Sequence, residues 1–278
     1  MFRYTKWTLV REIVVILGAI VMLLPFYFLF STALKPREEV LTTPAIQPPT
    51  APTLDGLFEI FGGTGRSSIS VGMMNSVIIT AGAIFGLVLL GSLCAYVLSR
   101  KFSRFSTVAY YMILVGIIVP AQLGTIPIYV GARALGMVGS LWGMIILYVG
   151  MLMPLAVFLY AGFIRALPKE YEEASTIDGA SKFQIFVRVV FPLLAPATGT
   201  VAILTGLAVW NDFFTPLIFL DGSEAATLPV VMFGYVGSIV SRWDLIFWVV
   251  IVSMLPILIF YLFAQKKFIQ GFSGGIKS

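Results

Sequence analysis

Six apolar runs punctuate the sequence, at 12–34, 73–99, 106–130, 140–164, 192–212 and 244–264. An apolar run of about twenty residues crosses a hydrocarbon layer of about 30 Å when helical. Two polar intervals between the runs stand out, at 35–72 and 165–191. The pattern predicts an all-α membrane protein: a single transmembrane domain over 1–278, with six transmembrane helices and both termini on one side. The first run follows a basic start and ends at Ser31-Thr32-Ala33, as a signal peptide does. Its apolar stretch from Ile13 to Phe30 exceeds the roughly 7–15 residues of a signal core, so it reads as a retained helix.

Charge gives the direction. With the N-terminus inside, thirteen of the eighteen lysines and arginines fall on internal segments, and only Lys35, Arg37, Arg66, Arg133 and Arg242 fall outside. Internal loops carry the positive excess, so the expected topology is N-in/C-in, with 35–72 an external loop and 265–278 a cytoplasmic tail. The net charge of +5 is thus an orientation signal and needs no nucleic acid. Charged residues make up 11% of the chain against about 25% in soluble domains, and mean hydropathy is +0.99. Histidine is absent and Cys94 is the single cysteine, which excludes disulfides within the chain, histidine-dependent catalysis and the usual zinc sites.

Proline and glycine refine the elements. Pro36, Pro44, Pro48, Pro49 and Pro52 predict extended backbone in the external loop. The Gly62–Ser67 stretch lacks the lysine and the spacing of a phosphate loop. Pro120 and Pro127 predict a break in the third run and an interfacial piece after it, while Pro25, Pro154 and Pro256 predict kinks inside spans. Gly82 with Gly86, and Gly139 with Gly143, predict faces where helices approach closely.

The interval 165–191 has its own design. Pro168 suits the first turn of a helix, and Glu170, Glu172 and Glu173 suit its N-terminal end, where the helix dipole favours acids. Tyr171, Ala174 and Ile177 form an apolar edge, and Gly179 predicts a stop. Ser181-Lys182-Phe183-Gln184 matches a capping box, predicting a second helix to Phe191 before Pro192 opens the fifth span. Such a loop is either a solvated connection or a lug that carries force from a soluble partner into the membrane.

Glu173-Ala174-Ser175, three residues, Gly179, nine residues, then Val189-Val190-Phe191-Pro192 resembles the EAA loop of ABC-importer permeases, the inner-membrane components of binding-protein-dependent transport. Ser175, Val189 and Phe191 depart mildly from its Ala, Ile and Leu. Leu167-Pro168-Lys169-Glu170, Ala208-Val209-Trp210-Asn211-Asp212-Phe213 and the tail from Gln265 to Lys277 are similar to the carbohydrate-uptake branch, near the smaller maltose-permease subunit. The resemblance implies a type I ABC-importer permease fold, a sister permease, two cytoplasmic ATPase subunits that bind ATP and Mg, and an extracytoplasmic substrate-binding protein. It implies no cofactor and no catalysis in this chain itself. It makes 165–191 a coupling loop, with Glu172, Glu173, Ala174, Ser175, Asp178 and Gly179 as the ATPase-coupling residues.

Polar side chains inside spans are functional candidates. Trp210, Asn211 and Asp212 at the outer end of the fifth span form the best cluster for a sugar pathway, because an indole stacks on a ring while amide and carboxylate bind hydroxyls. Asn75 and Gln122 are further candidates, unless they bond helix backbone instead. The alternative function is a proton-coupled secondary transporter using Asp212, which leaves 165–191 without a role.

Overall fold

The computed structural model describes residues 6–63, 68–101, 103–236 and 242–274, with 121 and 263–274 as backbone only. Among these residues every regular element is helical. The chain forms two compact units.

The first unit holds residues up to Ile69 together with Val231–Leu255. Helix α1 (Lys6–Ala33) runs unbroken across Pro25. Its most apolar window is only 6% buried, which suits a helix that is hydrophobic all round and sits in lipid. The loop after it differs from the extended chain expected, because it contains α2 (Arg37–Thr42) and α3 (Asp55–Phe61). Pro36 stands just before α2, where its missing N–H costs nothing. Buried Lys35 then holds the proline-rich part in place, donating to Thr43 Oγ1 and to the Pro44 carbonyl, each at 2.9 Å.

The second unit holds Ser70–Val230 and the chain from Pro256 onward. Its second apolar run is α4 (Ile69–Gly86), a π-helical segment at Leu87–Gly91, and α5 (Ser92–Arg100). The third is α6 (Arg104–Ile118), a 3₁₀ turn at Ala121–Gly124, and α7 (Thr125–Ala134). As Pro120 predicts, the third run breaks there, with α6 and α7 bent by 93°. The fourth run is α8 (Leu141–Ala166), helical across Pro154.

Glycine makes α4–α5 and α8 touch. A Cβ on Gly82 would meet Ile145 Cδ1 at 2.6 Å, one on Gly86 would meet Val149 Cγ2 at 2.6 Å, and one on Gly91 would meet Ala156 Cβ at 3.0 Å. Gly86 to Gly91 is one residue longer than an α-helical repeat. The π segment absorbs that residue and keeps all three glycines on one face. Gly139 departs from expectation: it precedes α8 in a left-handed turn at φ +79°, so it is a turn residue and not a packing position on the helix.

Helices α9 (Glu170–Ile177), α10 (Lys182–Ile185), a π-helical segment at Phe186–Val190 and α11 (Phe191–Leu193) build the next interval. Helix α12 (Ala195–Asn211) follows after a 73° bend. The bend falls at Leu194 and not at Pro192, because Pro196 has no N–H for the Pro192 carbonyl. The chain closes with α13 (Phe214–Phe219), α14 (Leu228–Val236) and α15 (Trp243–Gly274), the last helical across Pro256. Among the described residues four helices are long and apolar enough to cross a membrane, or up to six if each bent pair is one span.

Candidate coupling loop and pathway residues

The loop after α8 folds largely from its own sequence. Asp178 caps α9, and Gly179 follows at φ +81°. The Gly179 N–H donates to Thr176 O and the Ala180 N–H to Ser175 O, both at 3.0 Å, which is a Schellman motif. Helix α10 opens with the expected capping box: Ser181 N–H donates to Gln184 Oε1 at 2.8 Å, and the Gln184 N–H donates back to Ser181 Oγ.

The two arms meet different surroundings. Helix α9 has no buried residue, and Tyr171, Glu173, Ala174, Ile177, Asp178 and Gly179 are exposed. Ser175 is half-buried, and Ser175, Asp178 and Gly179 line a hollow of about 400 Å³ with Gln184 and Arg188. The other arm is embedded: Ile185, Phe186 and Val190 are buried in the cluster that contains Ala95, Tyr160 and Ile164.

Glu172 departs from its neighbours. It turns inward, accepting from Arg100 Nε at 2.6 Å and from Tyr96 Oη at 2.8 Å. Arg100 Nη2 also donates to the Leu167 carbonyl at 3.0 Å, at the end of α8. The Arg100 and Glu172 side chains are only 14% and 17% exposed. A charge-assisted contact in such a half-buried setting contributes about 1.5–3 kcal/mol. Of the six residues expected to face an ATPase, Glu172 therefore faces this chain instead. Its partners escaped the sequence reading, although a tyrosine and an arginine four apart near the end of an apolar run were a usable signal.

The polar residues expected along a pathway separate. Trp210 is buried and lines an apolar hollow with Ile84, Gly206 and Phe260. Asn211 is exposed and donates to Leu207 O on its own helix at 2.9 Å. Asp212 turns the other way. Its Oδ1 accepts from the N–H groups of Phe214 and Thr215 at 3.0 and 3.3 Å, capping α13, and its Oδ2 accepts from Tyr148 Oη at 3.0 Å. Asn75 is buried and donates to the Ala226 carbonyl at 2.9 Å, while neighbouring Ser76 Oγ accepts from Leu228 N–H. Asn75 thus pins the segment before α14. Only Gln122 joins Asp212, in a pocket of about 160 Å³ lined also by Thr125, Met151, Phe214 and Thr215. Tyr148, placed mid-way along the fourth apolar run, is the residue the sequence reading missed here.

Residues 87–274 match the family described as binding-protein-dependent transport system inner membrane component. This chain belongs to that family. It is accordingly a permease component of an ABC transport system, carried in a bacterial cytoplasmic membrane and crossing it more than once. The melibiose/raffinose/stachyose import permease protein MelC of Bacillus subtilis is 35% identical over 269 residues, covering 95% of each chain. The multiple sugar-binding transport system permease protein MsmG of Streptococcus mutans is 32% identical over 269 residues, again covering 95% of each. A bacterial ABC transporter that imports the acidic polysaccharide alginate has a chain of the same fold, with TM-score 0.84 and 20% identity over 96% of this permease and all of that chain. Neither the family nor the capped geometry of Asp212 supports the proton-coupled alternative.

Proposed function

We propose that this permease imports a sugar or oligosaccharide as one of two permease subunits around a shared pathway. Its two bent helix pairs each make one span, giving six spans with both termini in the cytoplasm. An extracytoplasmic binding protein delivers the substrate to the outer side. Two cytoplasmic ATPase subunits bind ATP and Mg, and this chain neither binds them nor hydrolyses ATP. The carbohydrate class is supported by relatives named for sugar transport at 35% and 32% identity along nearly the whole chain.

The observation that carries the coupling reading is the loop at 165–191. It presents an exposed helix with Tyr171, Glu173, Ala174 and Ile177 outward, joined by a rigid Schellman turn to an arm buried in the bundle. A partner that seats α9 would grip a lever already fixed to the membrane helices. Glu173, Ala174, Ser175, Asp178 and Gly179 form the seat, and Glu172 fixes it from behind. On the outer side, Asp212 and Gln122 line the pathway in their common pocket, while Asn75, Asn211 and Trp210 serve structure.

The test is ATP hydrolysis by the lipid-reconstituted complex, with and without loaded binding protein, in wild type and Gly179→Val. Valine at φ +81° meets a left-handed penalty of about 1–2 kcal/mol, increased by its branched Cβ, and the turn must re-form. The variant should retain its ATPase subunits yet lose at least about tenfold in stimulated hydrolysis. Unchanged stimulation would remove the coupling role. A wild-type chain that co-purifies with no ATPase would remove the importer reading.

A further inference from the structure

We propose that Arg100 and Tyr96 are positioning residues that lock α9 to the inner end of the second apolar run, so that a push on α9 moves α5 directly. The proposal rests on the coupling reading above and adds a second route beside the covalent chain.

Three acids open α9, at Glu170, Glu172 and Glu173. If all three served a partner or the helix dipole, all three would stand in water. Glu170 and Glu173 do, but Glu172 spends both oxygens on α5: Oε1 on Arg100 and Oε2 on Tyr96. Tyr96 and Arg100 are four residues apart on α5 and so share one face. That face also holds the other arm of the loop, since the Tyr96 ring packs on Phe186 with centroids 5.2 Å apart. Arg100 reaches further, to the carbonyl of Leu167 where α8 ends. One short helix therefore grips α8, α9 and the π-helical segment after α10 at once.

The guanidinium is suited to this. It directs Nε to Glu172 and Nη2 to Leu167 from one planar group, which a lysine ammonium on a flexible stem does not reproduce. The position also favours a cation, at the C-terminal end of α5 and beside the last carbonyls of α8. Above the grip, α5 joins α4 through the π-helical segment Leu87–Gly91, where the backbone ladder shifts register and Ser92 Oγ donates to the Val88 carbonyl at 2.5 Å. Below that segment α5 packs closely along α8, with Ala95 in the same buried cluster as Tyr160 and Ile164, so the grip on α9 carries α5 and α8 together.

The experiment is a double-mutant cycle in the complete complex in lipid, reading co-purified ATPase, basal hydrolysis and hydrolysis stimulated by loaded binding protein. Gly179→Val is run beside it. Arg100→Lys and Glu172→Gln should each keep the ATPase bound and each lower stimulation about tenfold, the scale of one lost charge-assisted contact. Combined, they should lower it no further than either alone, because both remove the same link. Tyr96→Phe removes one hydroxyl and leaves the ring on Phe186, so it tests the link even if Arg100→Lys fails to assemble, and a fall of about threefold is expected. Wild-type stimulation in Tyr96→Phe and Glu172→Gln, with Gly179→Val impaired, would overturn the lock and leave the coupling loop standing. Fully multiplicative losses in the cycle would overturn it as well. Wild-type stimulation in every variant, Gly179→Val included, would remove the lock and the coupling reading together.

Discussion

The loop at 165–191 and the corner at 210–219 both carry the chain away from a long apolar helix, and they are held by different means. The loop closes mainly on itself: Gly179, the Ser175 carbonyl and the Ser181–Gln184 box lie within ten residues of one another. The corner is held from distant parts of the chain, by Asp212 and by the Gly139 N–H, which donates to the Phe219 carbonyl at 2.8 Å. Asp212 starts α13 with one oxygen and receives the hydroxyl of Tyr148, 64 residues away, with the other. A self-closing turn is suited to meeting a partner, since its shape survives while its surroundings move. A corner that depends on a distant helix is suited to sensing that helix, and here it also lines a pocket with Gln122.

The contrast can be broken most severely at Asp212. Asp212→Ala removes the cap of α13, worth about 1–2 kcal/mol, and takes away the carboxylate acceptor of the Tyr148 hydroxyl, worth about 1 kcal/mol. The expected result is a lower unfolding midpoint for the purified complex and uptake of labelled sugar reduced at least about tenfold. Full uptake with an unchanged midpoint would show that the corner holds itself, as the loop does.

A smaller effect is expected at Glu173, whose carboxylate is exposed on the loop. Glu173→Ala should lower stimulated hydrolysis by less than about fivefold, since a contact that stays wet contributes little. It should fall well short of Gly179→Val, because the turn places every residue of the seat and Glu173 is one among them. A loss at Glu173 larger than at Gly179 would shift the emphasis from shape to charge.

The smallest effect is expected one residue from the largest. Asn211→Ala removes only a bond to the Leu207 carbonyl of its own helix, so stability should change by less than about 0.5 kcal/mol and uptake should stay at wild type. A strong uptake defect in Asn211→Ala would place the amide in the pathway and reopen the corner's geometry.

The same two regions show what is legible in a sequence. Gly179 and the capping box were readable because a left-handed glycine and a reciprocal Ser–Gln cap act over a few residues, where sequence distance equals spatial distance. The break near Pro120 was readable from its missing N–H, but Pro25, Pro154 and Pro256 lie inside continuous helices. Proline alone therefore marks where a break is favoured, and packing decides whether it occurs. The π-helical segments were not, since an extra residue in a helix leaves no local mark. Trp210, Asn211 and Asp212 looked like one polar cluster, yet successive residues on a helix point about 100° apart, and only packing decided that Trp210 lines an apolar hollow while Asp212 meets Tyr148.

By itself the sequence determined the membrane class, the helical runs and the compact loop that carries the family signature. Apolar length, charge bias and local capping each act without reference to the rest of the chain. Only the tertiary structure decided that Glu172 turns inward, that Asn75 pins a backbone segment, and that Asp212 receives the hydroxyl of Tyr148. Those outcomes depend on which polar group finds a donor or acceptor first in an apolar surrounding. In such a medium an unpaired group is costly enough that the nearest partner in space, not in sequence, claims it.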